Sequence, residues 1–197
     1  MRLLNVLIIS FCISSCEAQT SETTYHIDAT NWLYKLPEEY KIRTDQFSEA
    51  LNAGQNEIEK NGQGATASNN DVILLSAAKS DSSDLNILFA SYKSNQMILK
   101  LGLKGYKDKL IEFFQYTFEK NSSIYKMEEG KVLIDSIVFY TIENKMYDPK
   151  GNYIYSSMMF LGEVSNKEVS FSLTFDNQKD KDLLVNSLMS SKFKKWI

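Results

Sequence analysis

Histidine is nearly absent from these 197 residues. His26 is the only one, and cysteine occurs twice, as Cys12 and Cys16. One imidazole excludes a His-rich metal centre. Two thiols exclude a disulfide framework and a Cys-type zinc site, so neither a metal nor a cofactor is expected. A long hydrophobic run is missing as well. The most apolar stretch, Leu3 to Ile13, has eleven residues; at about 1.5 Å each they cannot cross a hydrocarbon core of about 30 Å. Charge of one sign is also lacking, since 25 Asp and Glu against 22 Lys and Arg leave a net −3 and no nucleic-acid footprint. What the chain has is packing material. It is 43% hydrophobic and 12% aromatic, too rich for a disordered polymer and sufficient for one core.

Met1 and Arg2 make a short positive start, the Leu3–Ile13 stretch follows, and small residues come next. This layout predicts a secretory signal peptide over residues 1–15. Its end, Ile13-Ser14-Ser15-Cys16, resembles the lipobox of bacterial lipoproteins: an aliphatic residue and two small residues before a cysteine. In that family the thiol is lipidated, with palmitate among the acyl groups, and becomes the mature N-terminus. The resemblance therefore implies lipidation of Cys16. Cys12 fits less well, because bulky Phe11 stands before it. Ordinary cleavage after Ala18 is the competing reading, and a plain hydrophobic N-terminus a third. Several acyl chains, at about 0.8 kcal/mol per buried CH₂, hold a protein on a bilayer where one chain is marginal. Residues 16–28 are polar and read as the lipidated cysteine with a flexible tether, leaving 29–197 as a single domain.

Within that domain Trp32, Tyr34 and Leu36 alternate before Pro37, a first strand and turn. Tyr40–Arg43 predicts a short second strand. Thr44 or Asp45 would then cap a helix bearing Phe47, Ala50, Leu51, Gly54 and Ile58 on one stripe, ending at Asn61-Gly62. Val72–Ala78 is a continuous apolar run, as expected of a central strand covered on both faces. Asp81–Asp84 turns the chain and Leu85–Tyr92 returns. A helix over Lys107–Lys120 should face Leu110, Phe113, Phe114 and Phe118 inward. Val132–Met146 reads as one long strand, Asp148-Pro149-Lys150-Gly151 as a turn, and Tyr153–Val164 as the next strand. After Ser165-Asn166-Lys167, Val169, Phe171, Leu173 and Phe175 alternate with Ser170, Ser172 and Thr174. Lys179–Met189 closes the chain as a helix with Leu183, Leu184 and Leu188 inward. The class is α+β, an antiparallel β-sheet packed with helices.

Three segments resemble the PsbP-like fold, an α/β/α sandwich shared with a yeast Ran-binding import factor and DcrB-type bacterial lipoproteins. The first is Trp32-x-Tyr34-x-Leu36-Pro37-x-x-Tyr40-Lys41-Ile42. The second runs Tyr155–Phe160, Gly162, Val164, then Val169-x-Phe171-x-Leu173-x-Phe175-Asp176. The third is the finish Ser187-Leu188-x-Ser190-Ser191-Lys192-Phe193. The likeness covers roughly residues 28–195. It implies a binding or assembly role and brings no shared catalytic residues to carry over.

No motif supplies chemistry. Gly62-x-Gly64-x-x-Ala67 follows a helix rather than a strand, which is wrong for a dinucleotide loop, and Gly102-Leu103-Lys104-Gly105 reads as a turn before the second helix. His26 on a tether cannot serve as a catalytic base. Asp176, Asp180 and Asp182 lack the glycine and terminal glutamate of a calcium loop; they should cap the last helix and oppose Lys179 and Lys181. Glu38-Glu39 and Glu128-Glu129 read as turn residues. The least bland feature is Tyr140, Tyr147, Tyr153 and Tyr155 around the Asp148–Gly151 turn, with Met146, Met158 and Met159 nearby. Tyrosine and methionine are favoured at interfaces, although the same residues could simply fill the sheet. The expectation is a membrane-tethered, non-enzymatic binding or assembly lipoprotein, on the periplasmic face or cell surface, with an envelope protein as partner. The alternative is a carrier or sensor holding a small apolar ligand between sheet and helices; an enzyme using carboxylates alone is a third reading.

Overall fold

The most regular alternation in the chain, Val169 to Phe175, forms the middle strand of a seven-stranded antiparallel sheet. The computed structural model describes residues 23–43, 71–79, 85–93 and 96–193. In chain order these form β1 (Thr24–Ile27), β2 (Trp32–Lys35), β3 (Tyr40–Ile42), β4 (Asp71–Lys79), β5 (Ile87–Lys93), α1 (Gln96–Lys120), β6 (Ile124–Ile134), β7 (Ile137–Tyr147), β8 (Tyr153–Val164), β9 (Lys167–Phe175), α2 (Gln178–Met189) and β10 (Lys192–Phe193). The large sheet runs β3-β4-β5-β9-β8-β7-β6, and β1-β2-β10 make a smaller one. The signal peptide, Cys12, Cys16, the helix expected after Thr44 and the Gly62–Ala67 loop lie outside the described residues.

Period-two alternation gives the large sheet two different faces. On one, Leu88, Ala90, Phe139, Phe160, Phe171, Leu173 and Phe175 meet Trp32 and Tyr34 of the small sheet and Leu184 and Leu188 of α2. Trp32 lies 4.8 Å from both Tyr34 and Phe171, centroid to centroid. On the other face Ile142 and Leu161 pack against Leu103, Tyr106, Leu110, Ile111 and Phe114 of α1. The result is α+β, with α1 over one face and α2 plus a second sheet over the other.

Gly162 shows how tightly the first face is filled. It stands directly opposite Phe139 in the β7–β8 register, and a Cβ there would meet the Phe139 ring at 2.4 Å. Phe139 is fully buried and has no free space to turn into. Gly162→Ala should therefore destabilise the domain by about 2 kcal/mol through overpacking, read as a lowered midpoint in urea with an unchanged slope.

Several expectations need correction. The tether expected through Asp28 ends earlier, because Thr24–Ile27 pairs with Trp32–Lys35 as β1. His26 therefore stands on a strand, with Nδ1 3.1 Å from Asp28. The single strand expected over Val132–Met146 is the middle of a hairpin whose strands meet at Asp135-Ser136, both at positive φ. Its two-residue turn has the left-handed geometry that matches strand twist. Glu128 and Glu129 accordingly lie mid-strand in β6, not in a turn. β4 is second from the sheet edge rather than central. The turn expected at Gly102 is a break, at φ 69°, between two helical pieces of α1; the helix that follows it starts upstream of Lys107 and takes in Lys104 and Gly105. Its buried stripe includes Leu103, Tyr106 and Ile111, while Phe113 is 50% exposed. β10 was not expected at all; it pairs with β2.

Candidate interaction surface

The β7–β8 hairpin is built by its turn. The Asp148 carboxylate accepts from the backbone N–H of Lys150 and Asn152 and from Asn152 Nδ2, each at 2.8 Å. These bonds, the Asn152 side chain's first, hold the Asp148 carboxyl below the usual range. Gly151, at φ 84°, supplies the left-handed residue that closes the loop. Beside the turn Tyr147 and Tyr153 meet edge to face, 6.2 Å between centroids. The Tyr153 hydroxyl lies 3.2 Å from both Ser156 Oγ and the Phe175 carbonyl. The ring is thus fixed at its tip while 43% of the residue stays exposed, and Ile154 next to it is 44% exposed.

That lip borders a cleft of about 330 Å³ between β7, β8 and the start of α2. Asn177 caps α2, accepting from the Asp180 N–H at 2.9 Å. Asp180 in turn accepts from Asn177 Nδ2 at 2.8 Å and from Lys79 Nζ at 2.7 Å, and is buried. The cap is thus Asn177 rather than one of the three expected aspartates, and Asp180 opposes Lys79 rather than Lys179 or Lys181. Lys179 pairs with Glu39 instead, and Asp182 accepts from Gln178.

Lys181, one turn into α2, reaches across the cleft and donates to both oxygens of buried Glu143 at 2.8 Å. Its ammonium also lies 5.6 Å from the Phe175 ring centroid. Glu143 stands opposite Glu128 in the β6–β7 register. Like charges so placed repel, and lysines offset them: Glu128 takes Lys126 at 2.8 Å and Lys145 at 3.0 Å. These hydrogen bonds, Lys126 first, pull the Glu128 carboxyl down to about 2, and Glu128 raises Lys145. The cleft therefore alternates in sign and carries an apolar lip. Its carboxylates are occupied by lysine or asparagine partners, and such a lining suits a charged protein segment better than an apolar ligand.

The four tyrosines do not form one patch. Only Tyr147 and Tyr153 come together. Tyr140 and Tyr155 lie on the α1 side of the sheet, opposite Leu161 and Met146 and six registers apart, Tyr140 beneath Lys131 at 4.8 Å. Met158 and Met159 fill opposite cores. Glu143 and Ser156 were missed; both are buried polar residues interrupting apolar strands, and that was the available signal. Lys181 was expected to oppose an aspartate and meets Glu143 instead. The expected apolar site under Phe113, Phe114 and Phe118 also changes, since Phe113 turns outward and the described clefts adjoin α2 or the Leu36–Glu39 turn. Among the described residues no group of three or more His, Cys, Asp or Glu could hold a metal, and no helix is long and apolar enough to cross a membrane.

No protein-family model and no curated protein matches the chain. Its structure is similar to the solution structure of cyanobacterial PsbP (CyanoP) from Synechocystis sp. PCC 6803. The two agree with a TM-score of 0.58 over 92% of this chain and 99% of that one. The fold is PsbP-like. Sequence identity is 10%, so the likeness is one of architecture alone. In this frame β2, α2 and β10 all converge on one face of the large sheet. That convergence sets the N-terminus of α2 against the β7–β8 hairpin and so creates the cleft.

Proposed function

We propose that this chain is a DcrB-type bacterial lipoprotein with a PsbP-like domain, held at the cell envelope through lipid on Cys16. It acts without catalysis, as a binding or assembly module for an envelope protein. The observation that carries this reading is the β7–β8 end: Tyr153 is exposed yet held at its hydroxyl, beside a cleft of mixed charge and next to exposed Ile154. Anchored aromatic contacts flanked by satisfied charges are what protein recognition uses, since little side-chain entropy is lost on docking. The partner contacts Tyr147, Tyr153 and Ile154 and presents charges to Lys145 and Lys181.

The test is in-cell crosslinking in the native host, purification from detergent-solubilised envelope and mass spectrometry, with palmitate labelling alongside. One envelope protein should be captured by the wild type. Cys16→Ala should abolish both label and capture, and the double variant Tyr147→Ala/Tyr153→Ala should keep the label and reduce capture at least tenfold. Label persisting in Cys16→Ala would overturn the anchor. Unchanged capture by the tyrosine variant would overturn the surface.

A further inference from the structure

The two ends of the large sheet are unlike. At one, β3 is three residues long and pairs only with Ala77–Lys79 of β4. At the other, β6 is an eleven-residue strand that pairs, among the described residues, with β7 alone. Long free edges recruit further strands, and proteins ordinarily shorten, bend or cover them. Ile134 is the only buried residue of β6. Glu129, Gly130 and Lys131 are all exposed at its middle, and Leu133, 62% exposed, is a large apolar side chain beside them.

We propose that β6 is a docking edge for a second copy of this chain, which adds antiparallel across a two-fold axis at Gly130. In antiparallel pairing, directly opposed residues share a sheet face and turn their N–H and C=O groups either both toward the partner strand or both away from it. Only registers that oppose residues of equal parity meet that condition. With Gly130 on the axis, Glu129 faces Lys131 of the second copy, and Lys131 faces its Glu129. Met127 likewise faces Leu133, twice by symmetry, so the exposed leucine gains an apolar neighbour. Centring on Glu128, Glu129 or Lys131 would set like charges against each other on the axis. Centring on Met127 would pair Lys126 with Glu128, but Leu133 would then lie beyond the end of the partner strand and stay uncovered. Of these five registers, the Gly130 one satisfies charge and apolar surface together.

Glu129 also accepts from Lys107, and Lys131 lies over Tyr140. Both side chains are therefore pre-positioned on the α1 side. The ion pairs specify the register, and the shared backbone ladder supplies the adhesion. An axis perpendicular to the sheet keeps both β1 strands on one side, so two anchored copies could sit on one membrane. The dimer does not rest on the anchor, and Cys16→Ala should leave it intact.

The test measures the mass of the full chain in a non-denaturing detergent by light scattering across a dilution series. Wild type should be a dimer. Lys131→Glu should raise the dissociation constant at least tenfold, and Glu129→Lys/Lys131→Glu, which restores both pairs with reversed sign, should recover it. Circular dichroism checks that each variant folds. A wild type that stays monomeric at every concentration overturns the proposal. So does a Lys131→Glu dimer as tight as wild type, or disruption by Lys126→Glu in its place.

Discussion

Trp32→Ala is expected to destabilise the domain by about 4 kcal/mol, a fall in melting temperature on the order of 10 °C. Trp32 is fully buried where the small sheet meets the large one, against Tyr34 and Phe171. Phe171 touches Phe139 and Phe193 in turn, with centroids 5.6 and 6.5 Å away, so the ring system joins β2, β7, β9 and β10. Removing the indole leaves a cavity that four strands border and that none can fill alone. Trp32→Phe is the control. The indole Nε1 has no hydrogen-bond partner, so phenylalanine loses volume while relieving a buried, unsatisfied donor. It should cost roughly half as much or less. Urea unfolding of both variants checks the ordering. Equal costs would mean that the nitrogen is satisfied in solution, by water for instance.

Much of this core was legible because its residues follow simple periods. Val169, Phe171, Leu173 and Phe175 alternate, and all four are buried. Trp32, Tyr34 and Leu36 do the same. The Asp148–Gly151 turn was legible because its residues carry their own local instructions: an aspartate that caps backbone N–H groups and a glycine at positive φ. The Asp135-Ser136 turn lacks those instructions. Two non-glycine residues hold positive φ there because Asp135 accepts from the Phe193 N–H at 2.7 Å, 58 residues away. No local pattern encodes such a contact, so β6 and β7 read as one strand. β1 was missed for a related reason. Its polar sequence forms a strand because β2 offers an edge.

The candidate surface was half legible on the same grounds. Tyr147 and Tyr153 flank a turn that local chemistry fixes, and they meet. Tyr140 and Tyr155 lie as near in sequence, but side-chain parity puts them on the α1 face. The Glu143–Lys181 bridge spans 38 residues and exists only once α2 has docked. The same separation of local from long-range information holds for charge. The polar run from Asp176 announced a helix start, although its cap is Asn177, while the lysine that Asp180 takes depended on β4.

That lysine makes the second large effect. Asp180→Ala should cost about 3 kcal/mol, since a buried carboxylate is removed from a cation that stays in place. Asp180 is 1% exposed and accepts from Lys79 and Asn177 while its N–H is capped by Asn177. Its loss leaves Lys79 only Glu39, at 2.8 Å, and takes from the capping Asn177 side chain one of its acceptors. The pH dependence separates the two parts. The hydrogen bond from Lys79 to Asp180, then that to Glu39, raises the Lys79 ammonium above its ordinary value. A raised lysine contributes stability that is fully present below the unfolded value, near 10.5, and is lost as pH rises through the folded one. Tyr40, pushed up by burial and then by the Asp180 charge, works in the same direction. Wild type should therefore lose stability steeply in alkali, and Asp180→Ala, already without that contribution, should fall less between pH 9 and about 11. Asp180→Asn keeps an acceptor for Lys79 and the Asn177 side chain but lacks the charge, so it should match Asp180→Ala in the flattened alkaline limb and exceed it in stability at neutral pH. Parallel alkaline curves for wild type and both variants would show that Glu39 alone sustains the Lys79 charge, and that Asp180 serves only to hold the Asn177 side chain in place.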